Sequence, residues 1–341
     1  MPTPRPISVS TCNPQGLAMS NSPPAPRPQP EARAHSAEPS RLLVVTLSNI
    51  GDVVMTTPVF EALAAAHPGT LIDIFADPRS AALLSSAPYT GEIFLYRKRA
   101  GWRARAVLLR ALRQRRYQLV VDLRSPILGY LLRADVRLGR PHKRIPGRHA
   151  VEEHFALLAP LLPGTSVPPC RLHPAAASHA AATQMLSHLP GSRWLAVAPG
   201  ANWPGKKWPR QHYRALLELA APHFDGVMLL GSAQDSDDIA TLADLGVPTL
   251  VAAGKTTLDT AAALLARARA FVGNDSGLGH IAAAMGTPTL TVFGPGDPQR
   301  YRPWGPNAHV VLAPDQDLAA LGPSEVWLAL QALLEQTTGQ T

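Results

Sequence analysis

The feature that most constrains the fold is an alternation of short apolar runs with longer helical segments, which occurs twice along the chain. The apolar runs occupy residues 42–48, 71–76, 93–96 and 119–123 in the first half, and 194–200, 226–231, 249–254, 270–274 and 289–294 in the second. Helical patterns lie over 55–66, 102–115 and 127–134 in the first half, and from 209, over 258–268 and over 278–285 in the second. Apolar strands separated by helices are typical of parallel sheets covered on both faces. We therefore predict an α/β chain with two doubly wound, Rossmann-like domains that face each other across a cleft.

Length and proline content suggest where these domains begin and end. The 341 residues suffice for about two domains, because one core rarely exceeds roughly 250 residues. Residues 1–40 hold ten of the 35 prolines, a composition that predicts a disordered tail. A second proline-rich stretch, 166–192, is expected to connect an N-terminal domain at 41–165 to a C-terminal domain at 193–341, which ends with a helix over 324–335.

Several features favour a cytoplasmic location. No apolar stretch reaches the ~18 residues of a membrane-spanning helix, and residues 1–40 lack the apolar core of a signal peptide. The only cysteines, Cys12 and Cys170, lie in segments of irregular pattern, which does not favour a structural disulfide or a metal cluster.

Positive charge is concentrated in the first half of the chain. Of the formal net charge of +8, residues 41–165 contribute +9 and residues 166–341 contribute −2. Residues 97–116 contain nine basic residues and no acid, and residues 133–148 contain six basic residues and one acid. A solvated basic helix, with Trp102, Val107 and Leu112 along its apolar side, does not explain the missing acids, so we expect an anionic partner. Nucleic acid is not expected, because no helix-turn-helix, zinc-finger or RRM pattern is present.

Small, polar or glycine residues follow almost every predicted strand. They form the clusters Ser48–Asp52, Pro199–Asn202, Gly231–Ser232, Gly254–Thr256, Asn274–Gly277 and Gly294–Asp297. Ligands of parallel sheets bind beyond these strand ends, where small residues allow the backbone to approach a phosphate. Five of the six clusters lie in the second half, which predicts that this half binds a phosphate-bearing donor. None is a dinucleotide-binding G-x-G-x-x-G loop or a P-loop.

The strongest local signal is the run from Gly273 to His280 at the start of a predicted helix. The amides of Gly277 and Leu278, together with His280, are placed to converge on a diphosphate. The structural alternative is that Asp275 or Ser276 merely caps the helix.

Three motifs in order resemble glycosyltransferase family 9, the heptosyltransferases of lipopolysaccharide core assembly. They are Ser48–Asp52 followed by VVMTTPVFEAL, Pro199–Ala201 followed by Lys206–Pro209, and Asp275–His280 leading to Phe293–Pro295. The resemblance, over roughly residues 41–315, implies a GT-B architecture in which the first domain binds the acceptor and the second binds the donor nucleotide sugar. It implies no metal and no cofactor besides the donor substrate.

The resemblance also implies roles for individual residues. Asp52 matches the catalytic base that deprotonates the acceptor hydroxyl, although it is also suited to capping the next helix. Lys206 matches the lysine that binds the diphosphate, with Lys207 as its local rival and a solvated lysine pair as the alternative. Asp275 resembles an acid that contacts sugar hydroxyls, Asp235 lies where the family holds the ribose, and Thr256 marks the loop near the base. The predicted donor-binding residues are Ala201, Asn202, Lys206, Asp235, Thr256, Asp275, Ser276, Gly277, Leu278 and His280, and Arg124 is the predicted acceptor-binding residue.

The resulting hypothesis is an inverting enzyme that moves heptose from ADP-heptose to an anionic lipopolysaccharide acceptor while resting on an anionic membrane leaflet. The alternatives are a family member with another sugar or acceptor, and a noncatalytic protein that binds nucleotide sugars.

Overall fold

Two parallel sheets form the framework of the computed structural model, which describes residues 41–125, 127–139, 147–244 and 246–338. The predicted disordered tail at 1–40 lies outside these residues. The strands of the first sheet are β1 (Arg41–Val45), β2 (Leu71–Ala76), β3 (Thr90–Leu95), β4 (Arg116–Asp122) and β5 (Arg133–Gly139). They lie in the order β3-β2-β1-β4-β5.

The helices of the first half depart from the predicted pattern at two places. The described helices are α1 (Ile50–Val54), α2 (Thr57–Ala66), α3 (Trp102–Arg113) and α4 (Ala150–Phe155). The helix predicted over 55–66 is preceded by the separate α1, which begins five residues earlier and contains Asp52.

The prediction of a helix over 127–134 is wrong. Only Leu128–Leu131 form a short 3₁₀ turn, and the chain then enters β5. β5 pairs in parallel with β4, Leu119 opposite Val136, and is the last strand in the sheet order. Most of its side chains are exposed, so it lacks the apolar run that marks the buried strands.

The strands of the second sheet are β6 (Trp194–Ala198), β7 (Gly226–Leu229), β8 (Thr249–Val251), β9 (Ala270–Asn274), β10 (Thr289–Phe293) and β11 (Ala308–Leu312). They lie in the order β11-β10-β9-β6-β7-β8. With β6 counted as strand 1 and the sheet read from β8, this is the Rossmann order 3-2-1-4-5-6. All the strand pairs are parallel in both sheets, which confirms the predicted α/β architecture.

Helices cover the second sheet and close the described chain. They are α5 (Ala176–Leu186), α6 (Arg210–Ala220), α7 (Ser236–Ala240), α8 (Leu258–Leu265), α9 (Gly277–Ala284), α10 (Pro298–Tyr301) and α11 (Pro323–Thr338). Within the described ranges, each helix is too short or too polar to cross a bilayer. We call β1–β5 with α1–α4 the first half and β6–β11 with α5–α11 the second half. The domain boundaries at 165 and 193 remain predictions.

The two halves are joined by buried polar contacts as well as apolar ones. Arg300 of α10 donates two hydrogen bonds, of 2.7 and 2.6 Å, to the carboxylate of Glu153 on α4. The His149 imidazole, at the start of α4, lies 3.0 Å from the carbonyl oxygen of Arg302 and packs against the ring of Trp304. Separating Arg300 from Glu153 would leave a buried charge without its partner, so this ion pair fixes the position of α10 relative to α4.

Candidate active site

The topology of each sheet places a site at the carboxyl ends of its central strands. In the second sheet, the connections after the neighbouring strands β6 and β9 run in opposite directions and leave a crevice between them. The loop after β6 contains Ala201 and Lys206, and the loop after β9 leads into α9. In the first sheet, β1 is at the equivalent place, and α1 with Asp52 follows it directly.

One pocket of about 720 Å³ gathers nearly all the residues predicted from the sequence. Eleven of the twelve predicted site residues line it: Asp52, Ala201, Asn202, Lys206, Asp235, Thr256, Asp275, Ser276, Gly277, Leu278 and His280. Only Arg124 is not part of its lining. Both halves therefore contribute to a single pocket, which brings Asp52 of the first half near Asp275–His280 of the second. We call Asp275–His280 the diphosphate loop, after its predicted ligand.

Close packing of α1 against α9 sets the relation between the two contributions. A Cβ atom on Gly51 would lie 2.7 Å from Cδ2 of the His280 ring, so only glycine fits there without movement. In return, a Cβ atom on Gly277 would lie 2.7 Å from Cγ2 of Ile50. The two helices are thus in direct contact at the residues that precede Asp52 and open the diphosphate loop.

Asp52 is the N-cap of neither α1 nor the following helix α2, whose N-cap residues are Asn49 and Thr56. Asp52 lies in the first turn of α1, where an acidic side chain also interacts favourably with the helix dipole. The side-chain amide of Asn49 donates a 2.9 Å hydrogen bond to Oδ2 of Asp52. Asn49 makes no side-chain hydrogen bond to the helix backbone.

Ser276 occupies the N-cap position of α9, but its side chain does not cap the helix either. Its buried hydroxyl has no hydrogen-bond partner among the described residues. The first amides of an α-helix lack intrahelical acceptors, so an anion at this end is bound by the amides and the helix dipole together.

His280 is a neutral group in this pocket. Burial lowers its pKa to about 4, with smaller contributions from the charges of His149 and Lys206. Its Nδ1 atom is buried and has no partner within the described part of the chain. His280 therefore offers a phosphate a hydrogen bond rather than a positive charge.

The two adjacent lysines have different partners. Lys206 lines the pocket and forms an ion pair with Asp275, whereas Lys207 bonds Oδ1 of Asp235 at 2.5 Å and does not line the pocket. Burial by itself raises the pKa of Asp235, but hydrogen bonds from Lys207 and Ser232 outweigh it and hold the pKa below its ordinary value. Lys206 therefore faces the pocket, whereas Lys207 lies outside its lining and is turned toward Asp235.

Asn274, at the end of β9, belongs to a predicted strand-end cluster, but its structural role was not predicted from the sequence. Its Oδ1 accepts hydrogen bonds from the Trp208 amide at 3.0 Å and the Tyr213 hydroxyl at 2.9 Å. Its Nδ2 donates to the carbonyl oxygen of Pro199 at 2.6 Å. Asn274 thereby ties the lysine-bearing loop to the strand that precedes the diphosphate loop.

Arg124 lies at a different place, just beyond the carboxyl end of β4. Its guanidinium lies over the ring of Tyr96, 4.3 Å from the centroid, and its Nη1 is buried without a partner among the described residues. Its backbone amide donates a 3.0 Å hydrogen bond to Oδ1 of Asp122. The guanidinium is thus held in place with unused hydrogen-bonding capacity, outside the main pocket.

Comparison with known proteins gives a consistent result. The sequence model of glycosyltransferase family 9 (heptosyltransferase) matches residues 130–324, more than half of the chain. Lipopolysaccharide heptosyltransferase 3 of Escherichia coli is 28% identical over 288 residues, which cover 75% of this chain and 84% of the relative. Lipopolysaccharide heptosyltransferase 1 of Pseudomonas aeruginosa is 30% identical over 289 residues, covering 76% and 79%.

The fold comparison agrees with the sequence comparison. The solved ADP-heptose lipopolysaccharide heptosyltransferase II of Escherichia coli matches with a TM-score of 0.74 at 26% identity, covering 87% of this chain and 99% of that one. An Escherichia coli heptosyltransferase solved with ADP matches with a TM-score of 0.71, also at 26% identity, covering 86% and 99%. The predicted GT-B architecture is confirmed, and the chain belongs to glycosyltransferase family 9, the heptosyltransferase family.

Proposed function

We propose that the protein transfers a heptose from ADP-heptose to a saccharide hydroxyl of a lipopolysaccharide core precursor. The observation that carries this conclusion is the shared pocket, which is lined by Asp52 of the first half and by the Asp275–His280 loop of the second. A base for the acceptor and a binding site for the departing diphosphate are the two functions that glycosyl transfer requires. Membership of the heptosyltransferase family supports the identity of the sugar.

Asp52 acts as the general base in this mechanism. The acceptor oxygen attacks the anomeric carbon while the bond from that carbon to the diphosphate oxygen breaks, and Asp52 takes the hydroxyl proton. Attack from the side opposite the leaving group inverts the anomeric configuration. ADP departs with the bonding electron pair, and Asp52 later returns the proton to water. A positioned base of this kind contributes ~10²–10⁴ in rate.

Groups of the second half stabilise the charge that grows on the diphosphate. Lys206 supplies a positive charge, the amides of Gly277 and Leu278 supply the open end of α9, and His280 donates a hydrogen bond. With these groups in the role that a divalent metal plays elsewhere, EDTA is expected to leave turnover unchanged.

The rest of the pocket is assigned to the nucleoside and the sugar. Asp235, held by Lys207 and by a 2.7 Å hydrogen bond with Ser232, is placed for the ribose hydroxyls. Thr256 borders the nucleobase of the donor, and Ala201 and Asn202 contact the donor from the loop after β6. Asp275 is left for the hydroxyls of the heptose.

Arg124 is assigned to the acceptor. Because its guanidinium is already stacked on Tyr96 and keeps a buried, unpartnered nitrogen, it is arranged to bind an acidic group with little loss of side-chain entropy. The anionic sugars and phosphates of a core precursor provide such groups.

The exposed face of α3 is assigned to an anionic membrane leaflet. Arg103, Arg105, Arg110 and Arg113 are exposed on this helix, and Trp102 and Val107 are 74% and 68% exposed. The apolar side predicted for α3 is thus buried only toward its C-terminal end, at Leu112. Arginines with an exposed tryptophan fit a lipid headgroup region, where each basic residue contributes about 1 kcal/mol. We do not expect α3 to bind a nucleic acid.

The decisive experiment is to incubate the purified protein with labelled ADP-heptose and a deep-rough lipopolysaccharide acceptor, in parallel with Asp52→Ala. We expect labelled product from the wild-type protein and little from the variant, with and without EDTA. Absence of transfer together with retained ADP binding would favour the noncatalytic alternative. A thermal-shift comparison of ADP-sugars with UDP-sugars separates heptose transfer from use of another donor.

A further inference from the structure

Two contacts bear on the position of Asp52: a hydrogen bond from Asn49 to its carboxylate, and the close packing of the neighbouring Gly51 against His280 of α9. We propose that Asn49 and Gly51 are positioning residues, which fix the Asp52 carboxylate with respect to the diphosphate loop. This inference deepens the proposed function and rests on it, since it concerns the base of the same reaction.

Asn49 acts on the carboxylate directly. An asparagine at an N-cap ordinarily accepts a hydrogen bond from a helix amide through its side-chain oxygen. Asn49 has the backbone geometry of an N-cap, with φ −80° and ψ 148°, but it makes no such bond. Its amide nitrogen donates instead to Oδ2 of Asp52 at 2.9 Å. One carboxylate oxygen is therefore held, and Oδ1 is left to accept the acceptor's proton.

Gly51 acts through the backbone. The His280 ring lies so close to it that an added Cβ atom would meet Cδ2 at 2.7 Å and Nε2 at 3.1 Å. The His280 ring is itself buried, at 5% exposure, so it has little room to move aside. Because Gly51 has no side chain, the backbone next to Asp52 packs directly against His280, a residue of the diphosphate loop.

The two contacts together set the distance between base and leaving group. Rates of oriented reactions are sensitive to this distance, and a misplacement of about 1 Å can cost ~10²-fold. The two halves are in direct contact at this point, next to Asp52.

Variants of Asn49 separate positioning from helix capping. Aspartate and asparagine are both good N-caps and alanine is a poor one, so a capping role predicts that Asn49→Asp resembles wild type and Asn49→Ala is the weaker variant. A positioning role predicts the reverse order. Asn49→Ala is expected to lower kcat about tenfold, and Asn49→Asp about 100-fold, because a second carboxylate repels Asp52.

Gly51→Ala tests the backbone contact, with Gly129→Ala as the matched control because a Cβ atom there meets only Val120 at an ordinary 3.6 Å. We expect Gly51→Ala to lower kcat about 100-fold. The ADP Kd of the Asn49 variants and of Gly129→Ala is expected to stay within about twofold of wild type, as judged by calorimetry.

Wild-type and Asp52→Ala turnover are measured in the same assay, which distinguishes the two levels of the hypothesis. If wild type does not transfer heptose, the proposed function fails. If wild type is active and Asp52→Ala is not, a near-normal Asn49→Asp overturns the positioning role of Asn49. An equal loss of ADP affinity in Asn49→Ala would likewise overturn it. The Asn49 variants decide the matter even if Gly51→Ala does not fold.

Discussion

The carboxyl ends of the two sheets present different chemistry to their ligands. In the second sheet they are built from small residues, such as Gly200, Gly231 and Gly254, so the backbone itself forms the pocket wall. In the first sheet they carry the charged and aromatic side chains of Asp77, Tyr96, Asp122 and Arg124. Under the proposed function, backbone amides and one lysine bind the diphosphate of the donor, and side chains bind the acceptor.

The same contrast holds for charge. Residues 41–165 contribute +9, more than the whole net charge of +8. In the second half, Lys206 pairs with Asp275 and Lys207 pairs with Asp235. Two of the nine basic residues at 97–116 are also paired, Arg115 with Asp73 and Arg116 with Asp135. The exposed arginines of α3 are what remain to act on a partner. The division of labour between the halves can be tested residue by residue.

The largest effect is expected from Asp52→Asn, which keeps the shape of the side chain and removes the base. We expect kcat to fall by ~10²–10⁴ and the Kd for ADP to change by less than about threefold, because the diphosphate is bound by the other half. Rapid-quench turnover and calorimetry with ADP provide the two values. A variant that loses ADP affinity in proportion to kcat would mean that the halves are not functionally separate.

A second test concerns the buried histidine of the second half. The folded pKa of His280 is about 4, against 6.5 for the free side chain, so between these values the unfolded chain binds a proton that the folded chain does not. Stability is therefore expected to fall as the pH drops from about 6.5 to about 4, by about 3 kcal/mol from this residue. Burial also lowers the pKa of His149, which acts in the same direction.

The measurement is urea unfolding at several pH values. His280→Gln is expected to have a shallower pH dependence than wild type, whatever its absolute stability, and the exposed His188→Asn serves as control. Equal slopes for His280→Gln and wild type would contradict the assignment.

The comparison of halves also shows what the sequence can and cannot predict. Strands buried on both faces, such as β1 and β9, were predictable because they are continuous apolar runs. β5 and β11 were not, because their exposed or half-exposed side chains leave no continuous run. Backbone pairing with β4, rather than any local propensity, makes a strand of residues 133–139.

Site residues followed the same logic. The small residues and the charged motif residues were predictable because the position of a strand end fixes where they meet. The roles of Asn274 and His149 were not, since each depends on a contact with a segment that is distant in sequence. The role of Asn49 was not either, because the predicted helix began at residue 55 and left out α1, the short helix in which Asn49 reaches Asp52. Gly51 packs against His280, which is more than 200 positions away in the sequence, so no local sequence pattern could have predicted this contact.

A third test compares the adjacent lysines. Lys206→Ala removes the positive charge that we propose binds the diphosphate and leaves Asp275 without its lysine partner, so kcat/KM for the donor is expected to fall 10- to 100-fold. Lys207→Ala acts only through Asp235 and is expected to weaken ADP binding a few-fold. Steady-state kinetics with ADP-heptose distinguishes them. A larger loss in Lys207→Ala would exchange their roles.

The smallest effect is expected at the exposed face of α3, which we propose contacts an anionic membrane. Arg110→Ala removes one exposed charge from α3, worth about 1 kcal/mol, so partitioning to vesicles containing phosphatidylglycerol is expected to weaken about fivefold. Arg214→Ala is the matched control, because Arg214 is an exposed arginine of the second half that pairs with Glu218. Sedimentation with anionic and with neutral vesicles measures both variants. We expect Arg110→Ala to weaken binding to the anionic vesicles only and Arg214→Ala to leave binding unchanged, because this contact depends on charge complementarity and is screened by salt. Any other result would contradict the difference that we infer between the two halves.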